Sequence, residues 1–226
     1  MHIIKLDATD STNTYLKNLA RRSELDDFAT VVTHEQSKGK GQMGASWEAE
    51  PGKNLTFSTL KKLSNLSVTN GFLLNICASL AVSNALKQFS IPNLHVKWPN
   101  DILSGTKKIC GILVENILVG DQIKTSIIGV GLNVNQTNFH TVSNATSMKL
   151  LLELTFNLEE VCTAIITELK NLFSLLEGQD PDSLRNTYEK LLFRKDKPST
   201  FKNENGETFM GFIRGTTPEG RLLVEL

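Results

Sequence analysis

Apolar and polar positions follow two periods along this chain, and each change of period marks a boundary between elements. Tyr15, Leu16 and Leu19 recur at helical spacing behind Asp10 or Ser11, either of which can cap a helix running to about Arg22. Ala29–His34 and Asn54–Leu60 show the shorter period of strands. Val68–Phe89 returns to the helical period through Leu73, Leu74, Cys77, Leu80, Ala81, Ala85 and Leu86, so this helix should lie across a sheet. Lys108–Val119 and Gln122–Asn133 flank Gly120–Asp121 and predict a hairpin of largely buried strands. Helices are expected from Asn157 to Glu177 and over Asp180–Phe193. Beyond about Lys195 come three short strands, Lys197–Phe201, Thr208–Gly215 and Arg221–Leu226, with turns at Asn205–Gly206 and Glu219–Gly220. Three strands barely bury a core of their own. Because the chain stops at Leu226 inside an apolar run, residues 195–226 read as an incomplete small β-domain or as one that packs on residues 1–194.

Composition narrows the function classes. The 24 basic and 24 acidic residues cancel, so no global field favours nucleic acid or an anionic membrane. The start, MHIIKLDATD, has no apolar signal region, and no long uninterrupted apolar run predicts a membrane span, so a soluble cytoplasmic protein is expected. Cys77, Cys110 and Cys162 stand far apart in apolar stretches and read as core thiols in a reducing compartment. His2, His34, His95 and His140 are scattered and are assigned no catalysis.

Candidate chemistry concentrates in four segments. In His95–Asp101, HVKWPND, Pro99 fixes its own φ and biases Trp98 to an extended conformation, so five unlike side chains are held where a strand gives way to a turn. Lys97 can meet a phosphate there and Asp101 a metal ion or hydroxyl; a plain surface turn has the same signature. Gly39, Gly41 and Gly44 match G-x-G-x-x-G, but Trp47, Pro51 and Gly52 follow where a dinucleotide fold needs a helix. The better expectation is a mobile anion-binding loop charged by Lys38 and Lys40, against an ordinary solvated loop. Ser11, Thr12, Asn13 and Gln36 supply short polar groups beside apolar segments, although helix capping alone accounts for Ser11 and Thr12. Strand alternation sends Lys107 and Lys108 to opposite faces, so only one can enter a site. Gly111, Gly129, Gly131 and Asn133 suggest floor space and one amide, or simple strand-end geometry.

In order and spacing, DSTN at Asp10–Asn13, QSKGKGQMG at Gln36–Gly44, KWPND, KICGILVE at Lys108–Glu115 and GVGLN at Gly129–Asn133 resemble the biotin protein ligases. The likeness is close to about residue 135 and loose beyond. It implies an α+β, lipoate-ligase-like catalytic domain over 1–194, with a mixed or antiparallel central sheet packed with helices, and the small C-terminal β-domain. It implies ATP-dependent formation of biotinoyl-5'-AMP and transfer of biotin to a lysine of a biotin carboxyl carrier protein. Biotin-binding positions would be Ser11, Thr12, Asn13, Gln36, Lys40, Gly41, Gln42, Lys108 and Gly111. ATP-binding positions would be Lys40, Gln42, Lys97, Asn100, Lys108, Gly131 and Asn133. Catalysis would fall to Lys108, Lys97, Lys40 and Asp101, with Asp101 also the magnesium candidate. Lys40, Gln42 and Met43 stand where the resembled family carries arginines, and lysine lacks the bidentate fork, so adenylate retention is expected to be weaker or to use other groups. Regulation by DNA contact is not expected, because the catalytic pattern begins almost at Met1, and cancelling charge with no long apolar run predicts no nucleic acid or membrane partner; a monomer or a homodimer is expected. The alternatives are a lipoate or octanoate ligase or transferase of the same fold, whose R-R-x-x-G-G pattern is missing here, and a non-catalytic ligand-binding regulator.

Overall fold

The computed structural model describes residues 2–139, 144–178, 181–203 and 205–226. His140 and Asp180 lie outside the described residues. A seven-stranded mixed sheet runs in the order β1-β2-β3-β7-β6-β5-β4, built from β1 (Ile3–Thr9), β2 (Thr30–Gln36), β3 (Leu55–Ser67), β4 (Leu94–Lys97), β5 (Asp101–Ser104), β6 (Lys107–Val119) and β7 (Gln122–Leu132). Only β1 and β2 are parallel, and helix α1 (Thr12–Arg22) makes the crossover that parallel neighbours require. Ser11 is its N-cap, accepting the Thr14 N–H on its hydroxyl. The expected hairpin is present as β6 and β7. β1 was not foreseen, and β3 runs seven residues past the expected end at Leu60.

Lys61 explains the hidden length of β3. It is 5% exposed, because Asp27 and Glu177 reach its ammonium at 2.7 and 3.0 Å while the rings of Phe28 and Phe173 lie beneath it. A cation with such partners can occupy a buried strand position, where the one-dimensional pattern reads as an interruption.

One face of the sheet carries the main core. Helix α2 (Phe72–Gln88), preceded by the 3-10 turn Val68–Asn70, packs there with α4 (Leu158–Gly178) and α5 (Pro181–Lys190). By length and composition, Val68–Gln88 is the one segment among the described residues suited to crossing a membrane. Most of α2 is instead buried in the core, which accounts for its apolar run. On the opposite face α1 covers only one end, over Leu16, Leu25, Ala29, Val31, Leu60 and Ile127. The other end of that face is open. A short helix, α3 (Met148–Leu152), unanticipated from the sequence, follows the segment that runs beside the start of β6.

The C-terminal strands β8 (Pro198–Lys202), β9 (Thr208–Thr216) and β10 (Leu222–Glu225) form a separate three-stranded sheet, close to the expected bounds. It is seated on α5. Arg185 donates to the carbonyls of Thr217 and Pro218, and Glu189 accepts the Thr216 N–H at 2.7 Å. Trp98 Nε1 donates to Gly220 O at 2.8 Å, and Phe72 lies so close to Gly220 that a Cβ there would overlap its ring. Arg185 is 9% exposed, so removing its guanidinium leaves carbonyls unpaired at a buried seam. Arg185→Met should therefore lower stability by about 1–3 kcal/mol and speed proteolysis between α5 and β8. Urea unfolding and timed digestion measure both, and unchanged values would show that Arg185 does not hold the seam.

Candidate active site

The open end of the sheet is where register concentrates polar and missing side chains. Residues paired across strands share a face, and one rung runs Lys97–Asp101–Gly111–Gly131–Thr56 through five strands. The next runs Leu113–Gly129–Ser58. Three glycines therefore leave bare backbone at the centre of this face. A cavity of about 230 Å³ lies over them. Its lining includes Ser11, Thr12, Asn13, Gln36, Lys40, Gly41, Gln42, Asn100, Asp101, Lys108, Gly111 and Gly131.

Two proposed site residues lie elsewhere. Lys97 is exposed at the end of the first rung, on the cavity's side of the sheet but not among its lining residues. Asn133 is 3% exposed and its amide donates to Thr146 O at 3.0 Å. It fastens the segment before α3 with one of the two N–H donors of its amide. Lys108 lines the cavity, whereas Lys107 is exposed; strict alternation from Gly111 would give the place to Lys107, and the extra residue Ile109 at the β5–β6 register shift reverses it.

At one end of the cavity stands charge. Lys108 Nζ lies 2.6 Å from Asp101 Oδ1 and 5.6 Å from the centre of the Trp47 ring. Asn100 beside it donates to Ile112 O and accepts the Ile112 N–H, which fixes the turn to β6. From α5, Tyr188 supports the same turn by donating to Pro99 O at 3.1 Å. Asp101 is the one carboxylate lining the cavity, and no group of three or more metal-type side chains occurs among the described residues. That donor set does not make a resident metal site.

The other end is a hydrogen-bonded polar wall. Gln36 Oε1 accepts from the Thr12 N–H at 2.9 Å. Ser58 Oγ reaches Thr12 Oγ1 at 2.7 Å and Asn13 Oδ1 at 2.5 Å. Asn13 Nδ2 donates to Glu115 Oε2 at 2.9 Å, and Glu115 Oε1 pairs with Lys17 at 3.3 Å. Burial raises the Glu115 pKa, but the hydrogen bonds from Asn13 and Lys17 and the charges of Lys17 and Lys40 outweigh it, holding the carboxyl below its ordinary 4.5. Thr56, which lines the cavity, and Ser58 and Glu115, which stand behind Asn13 outside the lining, were not foreseen. Their signal was strand alternation beside Phe57 and Leu113, legible only once the partners are known.

The glycine loop closes the roof. Residues 39–47 form a small hairpin in which Lys40 bridges Ser46 and the Trp47 N–H donates to Gly39 O at 2.9 Å; its tip is the 3-10 turn Gln42–Gly44 and the next element is β3, so no α-helix follows the glycines and the dinucleotide reading is removed. Lys40 Nζ donates to Thr14 at 3.0 Å, while Lys38 pairs with Asp10 at the surface. Trp47 lies on the glycine floor. A Cβ at Gly131 would overlap its ring and one at Gly111 would stand 3.0 Å from it, and its Nε1–H is buried without a partner. The indole occupies space over Gly111 and Gly131 that bare backbone leaves open.

A family model, the biotin/lipoate A/B protein ligase family, matches residues 6–133, more than half of the chain. The chain belongs to this family. A bifunctional ligase/repressor BirA of Bacillus subtilis is 31% identical over 135 residues, 60% of this chain and 41% of the relative. The BirA of Escherichia coli is 28% identical over 222 residues, 97% of this chain and 68% of the relative. The chain thus spans about two fifths of the Bacillus protein. Among solved structures, a biotin protein ligase from Aquifex aeolicus in complex with biotin and ATP has a TM-score of 0.81 at 24% identity, covering 99% of this chain and 91% of that one. That likeness shows the fold, with its mixed sheet, helices and small C-terminal sheet.

In this family member Gly131→Ala should displace Trp47 while leaving the fold intact, since the obstructed neighbour is a side chain on a loop. A shift in tryptophan emission with unchanged far-ultraviolet circular dichroism is expected; unchanged emission would mean the indole does not rest on Gly131. Glu115 supplies a pH test. Its lowered folded-state pKa makes its stabilisation present above 4.5 and lost as pH falls through the folded value. Glu115→Gln should therefore lose less thermal stability than the wild type between roughly pH 5 and 3, measured by differential scanning calorimetry.

Proposed function

We propose that the protein is an ATP-dependent biotin–protein ligase. The carrying observation is the division of one cavity into a lysine held at 2.6 Å by a carboxylate at one end and a polar wall of Thr12, Asn13 and Gln36, backed by Ser58, at the other. A ureido ring offers two N–H donors and a carbonyl and suits that wall. A dithiolane offers neither, and would strip water from the wall without replacing its hydrogen bonds. The lipoate alternative is disfavoured for that reason.

In the first half-reaction a carboxylate oxygen of biotin attacks the α-phosphorus of ATP and pyrophosphate departs. Two anions must meet, and Lys108 exchanges part of its contact with Asp101 for the carboxylate and phosphate oxygens. Lys40 adds charge from the roof, and Lys97, at the end of the same rung, is placed for the outer phosphates. Magnesium would enter as part of the metal–triphosphate substrate and offset its charge, and Asp101, the one carboxylate lining the cavity, is the side chain that would be available to it. In the second half-reaction a carrier-protein lysine, as the free amine, attacks the mixed anhydride, giving an amide, AMP and a proton; Asp101 orients that amine. Trp47 leaves the glycine floor for the ligand to lie there. Residues 1–194 form the catalytic domain, and 195–226 a smaller domain that braces the Trp98 turn and helps receive the carrier. The protein acts as a monomer or a homodimer. The reaction needs no nucleic acid or membrane, and three unpaired buried cysteines suit a cytoplasmic setting.

Lys108→Ala should reduce biotin-dependent ATP–pyrophosphate exchange by ~10²–10³, with Lys107→Ala near wild type. Comparable exchange in both variants would remove the assignment. Parallel labelling of a carrier domain with biotin and with lipoate tests the substrate, and preferential lipoylation would overturn the reading.

A further inference from the structure

We infer that Glu115 is a positioning residue that fixes which way the Asn13 side-chain amide points, and so which group the polar wall presents to a ligand. The inference concerns the head end of the same cavity, and its ligand arm rests on the function proposed above.

A side-chain amide has a donor end and an acceptor end of nearly equal shape, so its orientation is set by neighbours. Asn13 is 3% exposed and cannot turn to water for partners. On one side of it stand two oxygens that can only accept, Leu113 O at 3.3 Å and Glu115 Oε2 at 2.9 Å from Nδ2. On the other side stand Ser58 Oγ, 2.5 Å from Oδ1, and the bare Gly129 backbone, where a Cβ would overlap Oδ1. Flipping the amide would set its oxygen against a carboxylate and a carbonyl. The hydroxyl of Ser58 does not decide the matter alone, because it can donate or accept.

Glu115 does not line the cavity. Its second oxygen is taken by Lys17 of α1, and the two side chains are about equally shielded, at 29% and 28% exposure. It therefore acts through Asn13. The acceptor face, Oδ1 over Gly129, is what a ring N–H would read. An apolar ring would gain nothing from that orientation, so Glu115 bears on the choice between cyclic urea and hydrocarbon or disulfide heads.

The test uses the intact protein labelled with ¹⁵N. In the wild type the two Asn13 side-chain amide protons, assigned by their loss in Asn13→Ala, should give distinct, exchange-protected signals. Glu115→Gln, whose oxygen can still accept from Asn13, should retain them, and Glu115→Met should lose or broaden them. Calorimetric titration with biotin should show about tenfold weaker binding for Glu115→Met and no more than about twofold for Glu115→Gln. Pyrophosphate exchange at saturating biotin should stay within about twofold in both, because the reacting atoms are not touched. Should Glu115→Met fail to fold, Asn13→Asp sets like charges together, and adding Glu115→Gln restores a donor–acceptor pair in reverse; recovery of the fold's thermal stability and of biotin binding in the double variant is expected. Unchanged Asn13 signals in a folded Glu115→Met, equal loss in Glu115→Gln, or no recovery in the double variant would overturn the inference. A wild type that binds no biotin would sink the proposed function, while the amide signals would still decide the role of Glu115.

Discussion

Everything at the site depends on the pairing of β3, β7 and β6, three long strands whose register forces every second residue onto one face. On the helical side that alternation delivers Phe57, Ile112, Ile128 and Val130, all essentially buried beneath α2 and its neighbours. On the other side the same alternation delivers Gly111, Gly129 and Gly131 among short polar residues. A well-packed face is what allows the opposite one to remain unfilled: stability is supplied from one side, and the bare backbone on the other is available for close approach. Shifting any of the three strands by one residue would exchange the two faces and lose both.

The polar residues of that face are spent largely on one another. Thr12, Gln36, Ser58, Asn13 and Glu115 form a chain of hydrogen bonds that ends at Lys17 on α1. Such a network is rigid because each member is fixed by the next, and a partly satisfied version would be costly in a shielded setting. The charged end is arranged in the same spirit. Lys108 is held by Asp101, Asp101 stands on a short hairpin, and that hairpin is pinned by Asn100 to β6 and by Tyr188 to α5.

How much of this was legible in the sequence follows from the range of the interactions involved. Helices α1, α2, α4 and α5 and the β6–β7 hairpin could be read because caps, turns and periodicity are local signals. Strand β1 could not, since its apolar residues Ile3, Ile4 and Leu6 are only partly buried even in the fold, and its place depends on pairing with β2. The end of β3 was hidden because Lys61 is buried by Asp27 and Glu177, more than thirty and a hundred residues away. For the site, motifs in order located Ser11–Asn13, Gln36, the glycine loop, Asn100, Asp101, Lys108 and the floor glycines. Asn133 stands apart from the residues that line the cavity, with one amide N–H on a main-chain carbonyl, Thr146 O. Ser58 and Glu115 escaped notice because what they do is decided by cross-strand register and by α1, neither of which a motif records.

The chain contains two tryptophans, and the fold assigns them to different places. Trp47 lies on the glycine floor under the roof of the cavity, with its indole N–H unbonded. Trp98 sits in the hairpin turn at the rim and gives its N–H to the C-terminal sheet through Gly220. The protein is thereby equipped with two intrinsic optical probes, one reporting what occupies the cavity and the other whether the smaller sheet is seated. A single-tryptophan version of each kind would separate the filling of the site from the attachment of its brace, without any added dye.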